Sequence, residues 1–168
     1  PQALRRLGEW FVGAVICPFL DFFQRNGVVL ALILLALVGT YRISDITMGV
    51  MANPFYLDLG FTKTEIANVV KIFGFGMTIA GSAIGGLVVV RLGLARTLLL
   101  GAVLVAATNL LFALMAGVGP ERALLALVIS ADNFSGGLAN VVFIAFLSGL
   151  TNTAYTATQY ALFSSLMT

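Results

Sequence analysis

Residues 27–57 read GVVLALILLALVGTYRISDITMGVMANPFYL, an almost unbroken apolar run with one charged interruption, Tyr41-Arg42-Ile43-Ser44-Asp45. About 20 apolar residues in a helix cross the hydrocarbon core of a bilayer, so the run is long enough to span one. A charge near the bilayer centre costs at least about 2.5 kcal/mol, and such residues turn towards a bundle interior or a water-filled path. Arg42 and Asp45 are three residues apart, share a helix face, and can pair or look into one cavity. The run therefore predicts a membrane helix with a polar wall.

The rest of the composition agrees. Of 168 residues, 60% are hydrophobic and only 10% charged, and the mean hydropathy is +1.06. An ordinary soluble domain carries about 25% charged residues. The net charge of +2 comes from scattered Lys and Arg without a basic stripe, so nucleic acid is not implied. There is no His and one cysteine, Cys17, so neither an internal disulfide nor a usual zinc or haem ligand set is expected, and no cofactor. No Ser or Cys has a plausible base beside it, which argues against an enzyme.

Along the chain, residues 1–26 mix Arg5, Arg6, Glu9, Trp10, Asp21 and Arg25 with Leu and Phe, and Pro18 breaks the run. They suit a cytoplasmic, interfacial linker in the headgroup layer. Residues 27–168 then divide into spans at about 27–57, 66–90, 97–118 and 123–150 and the start of a fifth at 154–168. Thr64 with Glu65 is expected to open the second. Gly81-Ser82-Ala83-Ile84-Gly85 in that span is a small-xxx-small pattern, which lets helices approach closely in lipid. The third span has no charge and only Thr108 and Asn109 as polar interior residues, so it can face lipid on most sides. The fourth holds Ser130, Asp132, Asn133, Ser135 and Asn140. Because the chain opens without Met and stops inside an apolar segment, a part of a longer protein is expected.

Lys and Arg in short loops mark the cytoplasmic side. Arg5, Arg6, Arg25, Arg91 and Arg96 fall on one side, against Lys63 and Arg122 on the other, placing the N-terminal segment in the cytoplasm. Rise per residue places Arg42 and Asp45 roughly 22 and 27 Å from the cytoplasmic start of the first span, with Lys71 and Asp132 roughly 8 and 13 Å from the outer ends of theirs. All four share the outer half of the membrane, as a neutral charge network or a binding constellation. Each has a structural reading beside the functional one: Lys71 can snorkel outward, and the others can lock helix packing. Asn133, about 100° round the helix from Asp132, suits helix contact, though it could also reach a solute.

The chain resembles the C-terminal half of a major facilitator superfamily transporter. The run Gly86-Leu87-Val88-Val89-Val90-Arg91-Leu92-Gly93-Leu94-Ala95-Arg96 is similar to that superfamily's cytoplasmic loop, with Val90 in place of its acidic residue and Leu94 and Ala95 in place of basic ones. More narrowly, it resembles the AmpG family of muropeptide permeases. That resemblance rests on Tyr41-Arg42-Ile43-Ser44-Asp45, Val70-Lys71-Ile72-Phe73-Gly74, Asp132-Asn133-Phe134-Ser135-Gly136-Gly137 and Ala157-Thr158-Gln159-Tyr160-Ala161-Leu162. Arg42 stands where a Lys is familiar and Asp132 where a Glu is, so the signs are kept while the reach differs.

The resemblance implies an all-α transmembrane fold, a partial C-terminal half of a 12-helix bundle whose N-terminal half is a partner. It implies a bacterial inner membrane, and proton-driven import of anhydromuropeptides for cell-wall recycling. In that reading Arg42, Asp45, Lys71, Asp132, Asn133 and Gln159 bind substrate or form the charge network. A transporter of another organic anion, such as acetyl-CoA, and a membrane module that assembles without transporting remain the alternatives.

Overall fold

In a computed structural model, residues 12–41 and 43–165 are described, apart from the side chains of Ala14, Ser44 and Asp45. Every regular element among them is helical. A π turn, Val12–Ile16, leads into α1, Cys17–Asn26. α2 covers Val28–Tyr41 and α3 Ile43–Asp58. α4, Lys63–Val69, continues through a π turn, Val70–Gly74, into α5, Phe75–Leu92. α6 is Leu94–Val118, α7 Arg122–Leu150 and α8 Thr156–Ser165. Residues 28–58, 63–92, 94–118 and 122–150 are long and apolar enough to cross a membrane. The fold is all-α and transmembrane.

The helix ends sharpen the expected boundaries. The second span starts at Lys63 instead of Ile66, because its N-cap is Thr62 and not Thr64. Thr62 Oγ1 accepts from the Glu65 N–H at 3.3 Å while Glu65 Oε2 accepts from the Thr62 N–H at 3.0 Å, a reciprocal capping box. The connection expected over residues 91–96 contracts to Gly93 alone, whose φ of 82° lets the chain turn between α5 and α6 where an L side chain would be strained.

Two compact units divide the chain: residues up to 43 with 147 onward, and residues 44–146. In the second unit, Tyr56, Phe61, Ile66, Phe112, Met115, Leu125, Val128 and Ile129 form the core. Tyr56 stacks on Phe112 with ring centroids 6.0 Å apart and planes 19° apart. On α6 the buried residues Thr97, Gly101, Thr108, Phe112 and Met115 recur at three- to seven-residue spacing, one stripe in an otherwise apolar and exposed helix. Thr108 and Ser135 hydroxyls meet at 3.2 Å, joining that stripe to α7.

α5 approaches α7 backbone to backbone. A Cβ at Gly81 would fall on the Phe134 carbonyl, one at Gly137 on the Thr78 carbonyl, and one at Gly85 would lie 3.1 Å from Leu138 Cα. The small-xxx-small pattern thus brings backbone against backbone, where dispersion and polar contacts hold helices that lipid does not force together. In the first unit, α1 ends at Gly27 (φ 75°) and leads into α2. α2 buries only Ala31 and Val38. Val28, Val29, Leu30, Leu32, Ile33 and Leu37 are exposed and suit lipid or further helices.

Replacing Gly81 by Ala should lower the unfolding stability of the detergent-purified protein by about 1–3 kcal/mol. Gly86→Ala on the same helix, where a Cβ meets nothing within 4 Å, is expected to change it by less than about 0.5 kcal/mol.

Candidate functional site

Of the charge network expected from sequence, Arg42 lies outside the described residues, as does the side chain of Asp45, whose backbone continues α3. Lys71 stands exposed on the π turn Val70–Gly74. With α4 starting at Lys63, it lies about 12 Å from the helix end. Asp132 is half-buried on α7, three and four residues beyond Ile129 and Val128 and so on the face that these turn into the core. Its carboxylate interacts electrostatically with the buried phenol of Tyr56 from α3. Tyr56 was not among the residues singled out from sequence, and beside Phe55 nothing in one dimension distinguishes it.

Asn133, one residue on, faces α5. Its Nδ2 donates to the Ile129 carbonyl at 2.8 Å, and its Oδ1 lies 3.1 Å from Thr78 Oγ1, which shares its proton between that amide and the Gly74 carbonyl at 2.9 Å. A Cβ at Gly74 would sit 3.4 Å from Asn133 Nδ2. Ser82 Oγ donates to the Gly137 carbonyl at 3.3 Å further along the same contact. Gly74, Thr78, Gly81, Ser82 and Gly85 therefore make one stripe of small residues, and Asn133 is its polar anchor on α7. Near the start of α4, Arg122 Nε donates to Glu65 Oε1 at 2.7 Å. That pair is surface-exposed on the Arg122 side, where solvent screens the attraction.

Gln159 belongs to the other unit and to a different cluster. It is 1% exposed. Its Nε2 donates to the Pro18 carbonyl at 2.8 Å and to Asp21 Oδ2 at 3.0 Å, and its Oε1 accepts from the Asn152 N–H at 2.7 Å. Asn152 Nδ2 in turn donates to Asp21 Oδ1 at 2.9 Å. Both amide ends of Gln159 are thus bonded within the protein. Asp21 and Asn152 were not marked as site residues from sequence, although Pro18, Asp21, Phe22 and Arg25 recur at helical spacing.

Four helices long and apolar enough to cross a membrane define a multi-pass membrane protein. The chain is AmpG-like. It is 35% identical over 155 residues, 92% of its length, to "Putative transporter AmpG 4" of Rickettsia conorii, and 37% identical over 87% of its length to an AmpG 1 of Rickettsia prowazekii that bears the same form of name. A Haemophilus influenzae protein named only as uncharacterized is 33% identical over 97% of the chain. No protein-family model matches. The chain spans 37%, 34% and 40% of the lengths of these three relatives.

A double-mutant cycle on Asn133→Ala and Thr78→Val, read by unfolding of the purified protein, is expected to give a coupling of about 0.6 kcal/mol, the average for hydrogen bonds between membrane helices.

Proposed function

We propose that this chain is part of the solute-translocating bundle of a membrane transporter. The observation that carries the reading is the match of nine-tenths of the chain to a transporter-named relative of which it spans 37%. The four apolar helices and the half-buried Asp132 on α7 support it, since charges in membrane helices mark solute and ion paths more often than chance.

Within that reading the solute is an anhydromuropeptide, brought from periplasm to cytoplasm with protons, in a bacterial inner membrane with the N-terminal end of this chain on the cytoplasmic side. Such a solute carries carboxylates, amides and sugar hydroxyls. Arg42 and Lys71 supply cations for its acidic groups, with Asp45 and Asp132 tuning them or taking protons. Asn133 and Gln159, whose amides are engaged here, hold the walls.

The test is uptake of labelled anhydromuropeptide by vesicles containing the full-length protein, with and without a proton gradient. Arg42→Gln with Asp132→Asn is expected to reduce gradient-driven uptake at least about tenfold while the protein still inserts. Uptake unchanged in the double variant would remove these residues from the site. No uptake by the unmutated protein would remove the solute.

A further inference from the structure

The face of α1 formed by Pro18, Asp21, Phe22 and Arg25 is directed across a contact with the segment from Leu150 to Phe163. The hydrogen bonds join residues 125 to 141 positions apart. Both oxygens of the Asp21 carboxylate are used, Oδ1 by Asn152 Nδ2 and Oδ2 by Gln159 Nε2. Arg25 sits four residues after Asp21, where it could pair along the helix. It donates instead to the carbonyl of Leu150, the last residue of α7, whose carbonyl has no partner within its own helix. Phe22 meets Phe163 of α8 edge-on, with centroids 5.0 Å apart.

This contact differs from the glycine seam between α5 and α7. That seam is backbone on backbone and has no alternative partner in lipid. Here a half-buried carboxylate is clasped by two side-chain amides, a contact that rotation of the side chains can open without separating two backbones. Behind it lies a cavity of about 160 Å³ lined by Pro18, Phe22, Leu35, Gln159, Leu162 and Phe163. The apolar layer next to the clasp is therefore loosely filled, and α8 has room to shift against α1 once the clasp opens.

We propose that Asp21, Asn152 and Gln159 form a latch between α1 and the α7–α8 turn, closed in this structure, whose release is a step in solute movement through the full-length protein. The proposal rests on the transport reading. Asp21 acts through Asn152 and Gln159 and is a positioning residue. Cys17, one turn before Asp21 and half-buried, is a native reporter of the latch.

In the full-length protein with Cys17 as the sole cysteine, Asp21→Leu is expected to raise the maleimide-labelling rate of Cys17 roughly tenfold, the effect of losing hydrogen bonds to a charged group. Asp21→Asn with Asn152→Asp exchanges donor and acceptor while keeping every bond, and should return the rate to that of the parent. An unchanged rate in Asp21→Leu, or no recovery in the exchanged pair, overturns the latch. A second protein, with Cys17→Ser, Asp21→Cys and Asn152→Cys, is bridged by a short reducible thiol cross-linker. Its uptake of labelled anhydromuropeptide should stop on cross-linking and return on reduction. Uptake that continues through the cross-link overturns release as a step of transport. Absence of uptake in the parent counts against the transport reading, and the labelling experiment then decides the latch alone.

Discussion

The bilayer gives helices no hydrophobic reason to associate, so the structure depends on whatever brings two helix backbones into direct contact. In the unit of residues 44–146 that contact is Gly81 and Gly85 of α5 against Phe134 and Leu138 of α7, with Gly137 answering against Thr78. Close approach makes the rest possible. It brings Thr78 within 3.1 Å of Asn133, and α7, so held, carries Ser135 to Thr108 on α6.

Polar side chains divide the work in three. Asn133, Thr78, Ser82, Thr108 and Ser135 join helices through neutral hydrogen bonds inside the bundle. Glu65 caps α4 and meets Arg122 at a membrane face. Asp21, Asn152 and Gln159 tie α1 to the α7–α8 turn. Asp132, half-buried and acting on Tyr56, is a titratable group set against the aromatic core and has a different character from these helix-joining amides and hydroxyls.

Much of this architecture was legible in one dimension because lipid enforces a simple rule: a spanning segment must be long, apolar and helical. Gly81-x3-Gly85 announced a close packing face. The boundaries moved where local chemistry outran hydropathy. Thr62-Lys63-Thr64-Glu65 offers two possible caps, and only the reciprocal bonds choose Thr62. Arg91 to Arg96 reads as a polar loop, yet one glycine with positive φ turns the chain and the arginines extend the helices. Gln159 read as a polar group for a solute, whereas its amide is bonded to Pro18, Asp21 and Asn152.

The sequence by itself determined that this is a helical membrane protein, because that property follows from length, period and the free energy of burying charge. Tertiary structure decided which polar residues meet. Asn133 with Thr78, and Asp21 with Asn152 and Gln159, are partnerships across 55 to 138 residues of chain. No local rule selects them, since each depends on the rotation and depth at which two helices come to rest.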